Sequence, residues 1–250
     1  METINKKTIG EYVANDFRTA ALFSKYGIDF CCKGNRTLVE ACEKKAISSA
    51  VLEKEINAIL NTANDQTIDF KSWSLDLLVD YIEKKHHRYV EEKSSVLYMF
   101  LDKLGKVHGG RHPELLEINK LFIAGAGELA KHMKKEELIL FPFIKKMVIA
   151  QRTNQAIAVP HFGTIDNPIA MMRNEHSIEG ERFAKIAELT HNYTPPTDAC
   201  ETYKVTFAML KEFEADLHKH IHLENNILFP GAHELEQQFT ILDKLVDSLH

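Results

Sequence analysis

The chain has 250 residues, of which 44% are hydrophobic and 27% charged, and its formal net charge is −5. This composition is typical of a soluble globular protein with a substantial core. The charge pattern gives no nucleic-acid footprint, and no apolar run is long enough to cross a membrane. The N-terminus lacks the apolar core of a secretory signal, and four cysteines do not indicate a disulfide scaffold in a chain of this length. We therefore expect a cytoplasmic protein that binds neither nucleic acid nor membranes.

The N-terminal part of the chain has the periodicity of short helices, and strand-like alternation is not found in the sequence. Thr8-Ile9-Gly10-Glu11 fits a capping box that starts a helix, and Thr37 and Ser49 are candidate N-caps of two further helices. Between them lies the segment Asp29-Phe30-Cys31-Cys32-Lys33-Gly34. These features predict a small helical N-terminal domain, residues 1–65, that carries a pair of adjacent cysteines.

The larger domain, residues 66–250, is predicted to be helical too, so that the fold class is all-α. A polar stretch at 61–72 interrupts the periodicity, and we interpret it as a linker. Four long segments with apolar residues at helical spacing follow. Their starts are predicted near Ser74, at Pro113, at Asn167-Pro168 and, through a capping box, at Asp198-Ala199-Cys200-Glu201. The tail from Ala232 to His250 is predicted to form a last helix packed outside these four.

The pattern H-x-x-x-E-x-x-I-L-F-P occurs twice, once starting at His132 and once at His220. Residues four apart share one face of a helix, so each copy directs an imidazole and a carboxylate the same way. His87 lies 45 residues before His132. His176 lies 44 residues before His220, so the second half repeats the first. A duplicated helical hairpin predicts a four-helix bundle, whose core commonly holds metal sites.

The candidate metal ligands are His87, His132, Glu136, His176, His220 and Glu224. Two carboxylates can each bridge two ions while two imidazoles complete the ligand set of each ion. His86 points about 100° away from its neighbour on a helix, and we select His87 because its spacing matches the second half. A single His-x-x-x-Glu pair is more often a solvated helix-face contact. Two copies with the same apolar tail favour a metal site, because unpaired buried carboxylates are costly.

Imidazole and carboxylate ligands suit iron, manganese or zinc rather than calcium, which prefers oxygen alone. A structural zinc site is closed with four ligands, often cysteines. Six ligands shared by two ions instead leave open positions for water, oxo, dioxygen or nitric oxide. The ligand set therefore favours a redox-active di-iron centre. Affinity alone would prefer zinc, so the metal also depends on supply.

Three features resemble the repair-of-iron-centres family, a group of hemerythrin-like di-iron proteins. They are the segment 29–34 and the two His-x-x-x-Glu motifs with their Ile-Leu-Phe-Pro tails, and the resemblance spans nearly the whole chain. It implies a hemerythrin-like up-down four-helix bundle in which the six candidate ligands bind two iron ions. In the family both glutamates bridge, so Glu136, Glu224 and an oxo or hydroxo group are the expected bridges. His108 matches a further family histidine near the site, and family members differ on whether it ligates.

The resemblance also implies a function, because family members protect or rebuild iron–sulfur clusters damaged by nitric oxide or peroxide. Expected partners are damaged iron–sulfur proteins, met transiently, with nitric oxide or dioxygen as small ligands. Family members are often dimers, and the flexible linker would permit a homodimer. Two alternatives stay open. The irons would act as an enzyme that reduces nitric oxide or interconverts it with nitrite, or they would bind dioxygen or nitric oxide as a carrier or sensor.

Cys31 and Cys32 form the second candidate site, and we assign them a catalytic role. Beside Lys33 and a turn glycine, one of these thiols is expected to have thiolate character, and a disulfide between them would be strained and easily reduced. In the family such a pair is proposed to take part in nitrosative chemistry or iron transfer. The alternative is two ordinary thiols in a small core. Cys42 and Cys200 are expected to be packing residues.

Two further features are compared with the family. Glu128, one turn before His132, and Glu175, next to His176, match positions that line a polar path toward the irons. A solvated helix face is the alternative for each glutamate. The connection through residues 151–164 is longer here, which is expected to alter a surface or an entrance without moving the ligands.

Overall fold

The computed structural model describes residues 7–62 and 68–247, with side chains up to Phe239. Within these ranges the chain is helical apart from loops and an isolated antiparallel bridge between Thr8 and Thr37. No helix among the described residues combines the length and the apolar character needed to span a membrane. The predicted all-α fold class is confirmed. The predicted domain boundary between residues 65 and 66 lies outside the described residues.

Residues 7–62 of the N-terminal domain form four short helices: α1 Ile9–Asn15, α2 Arg18–Lys25, α3 Leu38–Lys45 and α4 Ser49–Leu60. The predicted capping box starts α1, since Thr8 and Glu11 each accept a hydrogen bond from the other's backbone N–H. Thr37 caps α3 through the same reciprocal arrangement. Ser49 is instead the first residue of α4, and Ser48 takes the N-cap position without a side-chain bond.

Four long helices form the second domain. Bundle helix 1 joins α5 Leu75–Tyr81, a π-helical segment Ile82–His87 and α6 Arg88–His108. Bundle helix 2 joins α7 Glu114–Lys135, a π segment Glu136–Leu140 and α8 Phe141–Thr153. Bundle helix 3 is α9 Asp166–Leu189. Bundle helix 4 joins α10 Glu201–Leu223, a π segment Glu224–Leu228 and α11 Phe229–Asp247.

Helices consecutive in the chain are neighbours in space, because bundle helix 2 packs on helices 1 and 3, and bundle helix 4 packs on helices 3 and 1. This is the predicted up-down four-helix bundle. The predicted linker ends in a short 3-10 turn, Phe70–Ser72, whose first residue is buried. The connection between α8 and α9 packs Phe162 on Phe143 with ring centroids 5.1 Å apart, at the end of the bundle away from the N-terminal domain.

Two predictions for bundle helix 4 are wrong. Up to Asp247 the tail is not a separate outer helix, since α11 continues α10 through the π segment without a break. The predicted capping box at residues 198–201 does not form, and Cys200 occupies the N-cap position with no side-chain bond. The reason is that the carboxylate of Asp198 pairs with His112 and Arg111 instead.

Prolines explain two of the three π segments. Pro142 and Pro230 each lie two residues beyond a π segment. A proline has no N–H, and its ring crowds the carbonyl four residues back, so a regular α-helix is strained there. The wider turn relieves this crowding: the N–H of Phe141 bonds to the carbonyl of Glu136, five residues back, and bundle helix 4 repeats the arrangement. The Ile-Leu-Phe-Pro tail thus encodes a local widening at each glutamate of the duplicated motif.

The hydrophobic core is divided into two apolar clusters. One contains the interior of the N-terminal domain together with Leu101 and Phe122 of the bundle, so the two domains share it. The other fills the opposite end of the bundle around Ile144 and Phe229. In each bundle helix the candidate ligands lie where one cluster gives way to the other. A polar layer enclosed in this way is costly unless its groups are satisfied.

Candidate metal centre

The six candidate ligands meet in this polar layer, and none is more than 3% exposed. They form two groups of four that share both glutamates. One group consists of His87, Glu136, His220 and Glu224, and the other of His132, Glu136, His176 and Glu224. Within each group the potential ligand atoms all lie within 4.8 Å of one another. Four helices and the duplicated motif therefore bring together two adjacent sets of imidazoles and carboxylates.

Glu136 lies between His87 and His132, with its Oε2 3.4 Å from Nε2 of each. Among the described residues, neither oxygen of Glu136 nor Nε2 of His87 has a hydrogen-bond partner. Burial, together with the charge of Glu224, raises the pKa of Glu136 to about 7. Orphaned buried polar atoms of this kind are rare, and a cation would satisfy them and hold the carboxylate ionised. The residues present therefore fit a metal ion.

Glu224 lies between the other two histidines. Its Oε2 is 3.0 Å from Nε2 of His176, and its Oε1 is 2.9 Å from Nε2 of His220. Burial opposes the ionisation of Glu224, but His220 and His176 hold its pKa well below the usual range. Nε2 of His132 is also 3.0 Å from Nε2 of His176. Neighbouring ligands on one ion with bonds of about 2.1 Å have a similar separation.

Three of the four imidazoles are held by a second hydrogen bond at Nδ1. The pairs are His87 with Glu137 at 3.0 Å, His132 with Glu175 at 2.9 Å, and His176 with Asn225 at 3.0 Å. An acceptor at Nδ1 fixes the proton there and leaves the lone pair of Nε2 facing the centre. Each imidazole is thereby prepared to bind a metal in one orientation.

Sequence reasoning missed Glu137 and Asn225 as orienting residues. Each directly follows the glutamate of the duplicated motif, and each braces the histidine contributed by the partner helix of its hairpin. The signal was therefore an acceptor side chain at the same position of both copies. The ring of His220 has no such support, because its Nδ1 is buried without a hydrogen-bond partner in the described part of the chain.

The structure separates His86 from the six candidates. It is buried like its neighbour His87, but its Nδ1 is 3.0 Å from both oxygens of Asp216. Its ring stacks on that of His220 with centroids 5.7 Å apart. The choice of His87 over His86 agrees with this geometry.

His108 lies outside both groups. It ends α6, where its Nε2 is 3.3 Å from Sγ of Cys200 and its ring packs against Tyr203. The structure therefore does not bring His108 to the candidate metal centre. The expectation that Cys200 is a packing residue is wrong, since this cysteine is exposed, whereas Cys42 is buried in the core.

Cys31 and Cys32 lie in the loop between α2 and α3, with their sulfurs 3.7 Å apart. Oδ1 of Asp29 accepts hydrogen bonds from the backbone N–H of both cysteines and from the Cys31 thiol. Cys31 is not the thiol with the expected thiolate character, because its hydrogen bond with Cys32, its burial and the charge of Asp29 raise its pKa. Lys33 faces Glu181 at 3.9 Å instead of a sulfur.

The cysteine loop is docked on the metal-ligand layer. The thiol of Cys32 donates to the backbone carbonyl of His176 at 3.3 Å. The amide nitrogen of Asn225 donates to the carbonyl of Cys31 at 3.1 Å, and the next residue, Asn226, donates to the carbonyl of Phe30 at 3.1 Å. Because Asn225 also binds the imidazole of His176, this histidine is linked to the loop through both its ring and its backbone.

Two cavities are relevant to the site, and the smaller one reaches the candidate ligands. The larger, about 430 Å³, lies beside the cysteine loop, and its lining includes Asp29, Cys31 and Cys32. The ligand atoms of these three residues lie within 4.8 Å of one another. The smaller, about 50 Å³, reaches His132 and His176 and is lined by Glu128 and Glu175.

The smaller cavity lies along the predicted polar path, which stays a prediction. Glu175 has a bracing role there in any case, since it binds both His132 and Lys135. The hydrogen bond from His132 lowers the pKa of Glu175 to about 2, against a smaller opposing effect of burial. Glu128 is exposed at the cavity edge and pairs with Lys131 at 2.9 Å.

Comparison with known proteins gives two family matches. Residues 5–60 match ScdA_N, described as a domain of unknown function (DUF542), and residues 79–232 match the hemerythrin HHE cation binding domain. The first match contains Cys31 and Cys32, and the second contains all six candidate ligands. The bundle is accordingly a hemerythrin-like cation-binding domain.

Curated relatives cover almost the whole chain. The iron-sulfur cluster repair protein ScdA of Staphylococcus haemolyticus is 32% identical over 226 residues, which is 90% of this chain and 97% of that protein. The iron-sulfur cluster repair protein YtfE of Musicola paradisiaca is 34% identical over 229 residues, or 91% and 96%. YtfE of Escherichia coli O81 is 34% identical over 224 residues, or 90% and 95%. With an ScdA_N domain joined to a hemerythrin domain, the chain belongs to the family of iron–sulfur cluster repair proteins.

Proposed function

We propose that this is a di-iron protein that repairs iron–sulfur clusters damaged by nitrosative or oxidative stress, by donating iron from a labile centre. One observation carries the proposal: two groups of buried potential ligands share Glu136 and Glu224. The names of the relatives, iron-sulfur cluster repair proteins, support the same activity for this chain. Damaged iron–sulfur proteins, met transiently in the cytoplasm, are the proposed partners, and a homodimer stays a prediction.

The proposed ligand sets follow the two groups. His132 and His176 would hold one iron, His87 and His220 the other, and both glutamates would be shared, with an oxo or hydroxo group as a further bridge. Imidazole and carboxylate ligands suit iron. The bound irons would supply the ions that a damaged cluster has lost. The protein's own contribution is to hold the imidazoles in one orientation and to keep bulk water from the layer.

The cysteine pair is proposed to receive iron as it leaves the centre. Three observations support this: Cys32 contacts the backbone of a ligand residue, the ligand atoms of Asp29, Cys31 and Cys32 lie close together, and all three line the larger cavity. Thiolates are good iron ligands, and a metal displaces the thiol proton on binding. The raised pKa of Cys31 keeps this thiol protonated until a metal arrives.

Metal analysis tests the centre first. Protein purified without added metal or chelator from iron-replete cells is expected to contain about two irons per chain, as in other di-iron bundles. Glu224→Ala and His132→Ala are expected to lose them. Glu201→Ala is the matched control, because that carboxylate is exposed and forms an ion pair with Lys204 on the same helix turn. One zinc per chain, or no metal, would contradict the proposal.

Repair is tested with an iron–sulfur enzyme whose cluster has been damaged by nitric oxide. Reactivation is expected to parallel the loss of iron from the donor protein. Cys32→Ser is expected to slow reactivation at least tenfold while retaining about two irons, because the hydroxyl keeps the hydrogen bond to His176 but binds iron poorly. Equal rates for Cys32→Ser and the wild type would remove the cysteine pair from the proposal, and no reactivation by either would remove the repair function.

The sharing of both glutamates also favours a second candidate. Two irons held side by side would bring two nitric oxide molecules together, and proximity favours their coupling. A nitric oxide reductase would form nitrous oxide over many turnovers with a supplied electron donor. An iron donor would form at most about one equivalent and would lose its metal in the process.

A further inference from the structure

Cys200 and His108 form a thiol–imidazole pair that the metal centre does not use. Sγ of Cys200 lies 3.3 Å from Nε2 of His108. The pair lies at the far end of α6, whose 21 residues separate it from His87 by about 31 Å. Cys200 is exposed, while His108 is only 8% exposed, and Nδ1 of His108 is buried without a partner among the described residues.

Packing holds the imidazole against the sulfur. The ring of Tyr203 meets His108 edge-on at a centroid distance of 5.6 Å, and Leu104 is buried one helical turn away. A base fixed within hydrogen-bond reach of a nucleophile is the arrangement by which proteins activate thiols. The thiol proton therefore has a ready acceptor in an imidazole that solvent hardly reaches.

Cys200 also lies at the start of a long helix. It is the N-cap residue of α10, a helix of 23 residues, and its own side chain makes no capping hydrogen bond. The first backbone N–H groups of a helix lack intrahelical acceptors, and the helix dipole favours negative charge at this end. Cys200 therefore lies beside the electropositive end of α10.

The other three thiols lack this combination. Cys31 and Cys42 are buried, and their pKa values are raised, the first by its bond to Cys32 and the second by burial. Cys32 is half-buried and donates its proton to a backbone carbonyl, which is not a base. Of the four thiols, Cys200 is the one that is both exposed and within hydrogen-bond distance of an imidazole.

We propose that Cys200 is a site of reversible S-thiolation by low-molecular-weight disulfides that carry carboxylates. His108 takes the thiol proton, and the thiolate attacks one sulfur of the disulfide. A new S–S bond to Cys200 forms as the original S–S bond breaks, and the leaving thiolate takes the proton back from the imidazolium. The disulfide is itself the oxidant, and its released half is the reduced thiol. The cavity of about 40 Å³ beside the pair is lined by Lys103, which supplies a cation for a carboxylate.

The test uses the iron-loaded protein and oxidised glutathione, with each cysteine followed by peptide mass mapping. Cys200 is expected to react at least tenfold faster than the other three thiols, and at least tenfold slower in His108→Gln. Cys200→Ser should leave the protein essentially unmodified. Lys103→Gln should slow the reaction with oxidised glutathione but not with the uncharged hydroxyethyl disulfide.

A comparison within the wild type guards against a misfolded His108→Gln variant. Cys200 is expected to react faster in the folded protein than in the urea-unfolded chain, because only folding places the imidazole beside it. A thiol that is merely exposed would react no faster when folded. Equal or slower reaction in the folded protein, or an unchanged rate in a folded His108→Gln variant, would overturn the proposal.

Discussion

The thiol of Cys32 lies 3.3 Å from the backbone carbonyl oxygen of His176, so the N-terminal domain directly contacts a candidate metal ligand. Asn225 reinforces this contact, since its oxygen accepts from the imidazole of His176 while its nitrogen donates to the carbonyl of Cys31. A shift of His176 is therefore expected to move the cysteine loop, and a shift of the loop is expected to move His176.

Asn225→Ala is expected to weaken metal binding about tenfold or more, the usual cost of losing an orienting partner of a metal-bound histidine. Competition with a coloured chelator measures the affinity. Asn225→Asp should restore most of it, because the acceptor for Nδ1 of His176 is retained. Asn226→Ala is the matched control: it removes the bond to Phe30 but touches no candidate ligand, and its metal affinity should stay normal. Equal losses at both positions would contradict the bracing role.

Removing the metal is expected to lower the unfolding temperature by about 10 °C. A ligand present at 1,000 times its dissociation constant contributes about 4 kcal/mol, and each kcal/mol corresponds to about 2–4 °C in a chain of this size. Calorimetry before and after chelation, with ferrous iron added back, measures the shift. A Glu136→Gln and Glu224→Gln double variant should be insensitive to the chelator, because both shared carboxylates of the proposed site are gone. A chelator effect of equal size in both proteins would speak against the shared site.

Gly34→Ala is expected to destabilise the protein by about 1–3 kcal/mol, as overpacking commonly does. An added Cβ at Gly34 would lie 2.4 Å from the carbonyl oxygen of Phe30 and 3.0 Å from Oδ1 of Asn226. Gly127→Ala is the matched control, since that glycine is exposed in α7 with nothing within 4 Å of an added Cβ. It should stabilise the helix by about 0.5–1 kcal/mol. Urea unfolding measures both changes, and the same sign for both would show that close packing at Gly34 is unimportant.

The carboxyl of Glu214 is expected to make stability fall with rising pH. Burial raises its pKa from 4.5 to about 7, against the lowering effect of Tyr193. Between these values the folded chain keeps a proton that the unfolded chain has lost. The contribution of Glu214 to the free energy of unfolding therefore decreases from about pH 4.5 to about pH 7, by about 3 kcal/mol at most.

Glu214→Gln removes this titration. At pH 8 the variant is expected to be more stable than the wild type by about 2 kcal/mol, and the difference should shrink toward zero near pH 4.5. Urea unfolding of chelator-treated proteins measures the difference without interference from metal release. A difference that does not change with pH would mean that Glu214 is ionised in the folded protein throughout this range.

Local sequence patterns predicted the helices and the six side chains that meet in the polar layer. A helix places residues four apart on one face whatever surrounds it. The His-x-x-x-Glu spacing therefore predicts that the imidazole and the carboxylate point the same way. His87 and His176 precede their motifs by nearly the same distance, 45 and 44 residues, and two copies of one hairpin are expected to present the same position inward. Pro142 and Pro230 in the sequence account for two π segments, but these segments were recognised only in the structure. Bundle helix 1 has a π segment without a proline, and its sequence did not predict this segment.

Contacts between distant segments were decided by tertiary structure alone. Glu137 braces His87 across 50 residues of chain, and Asn225 binds Cys31 across 194. The pKa of Cys31 is raised because folding buries its thiol against Cys32 and Asp29. Lys33, which was expected to lower the pKa of a neighbouring thiol, faces Glu181 instead. The family resemblance suggested that His108 lies near the metal, but in the folded chain it packs against Cys200. Periodicity is a property of one helix, whereas the residue that lies opposite is determined by how separate helices pack together.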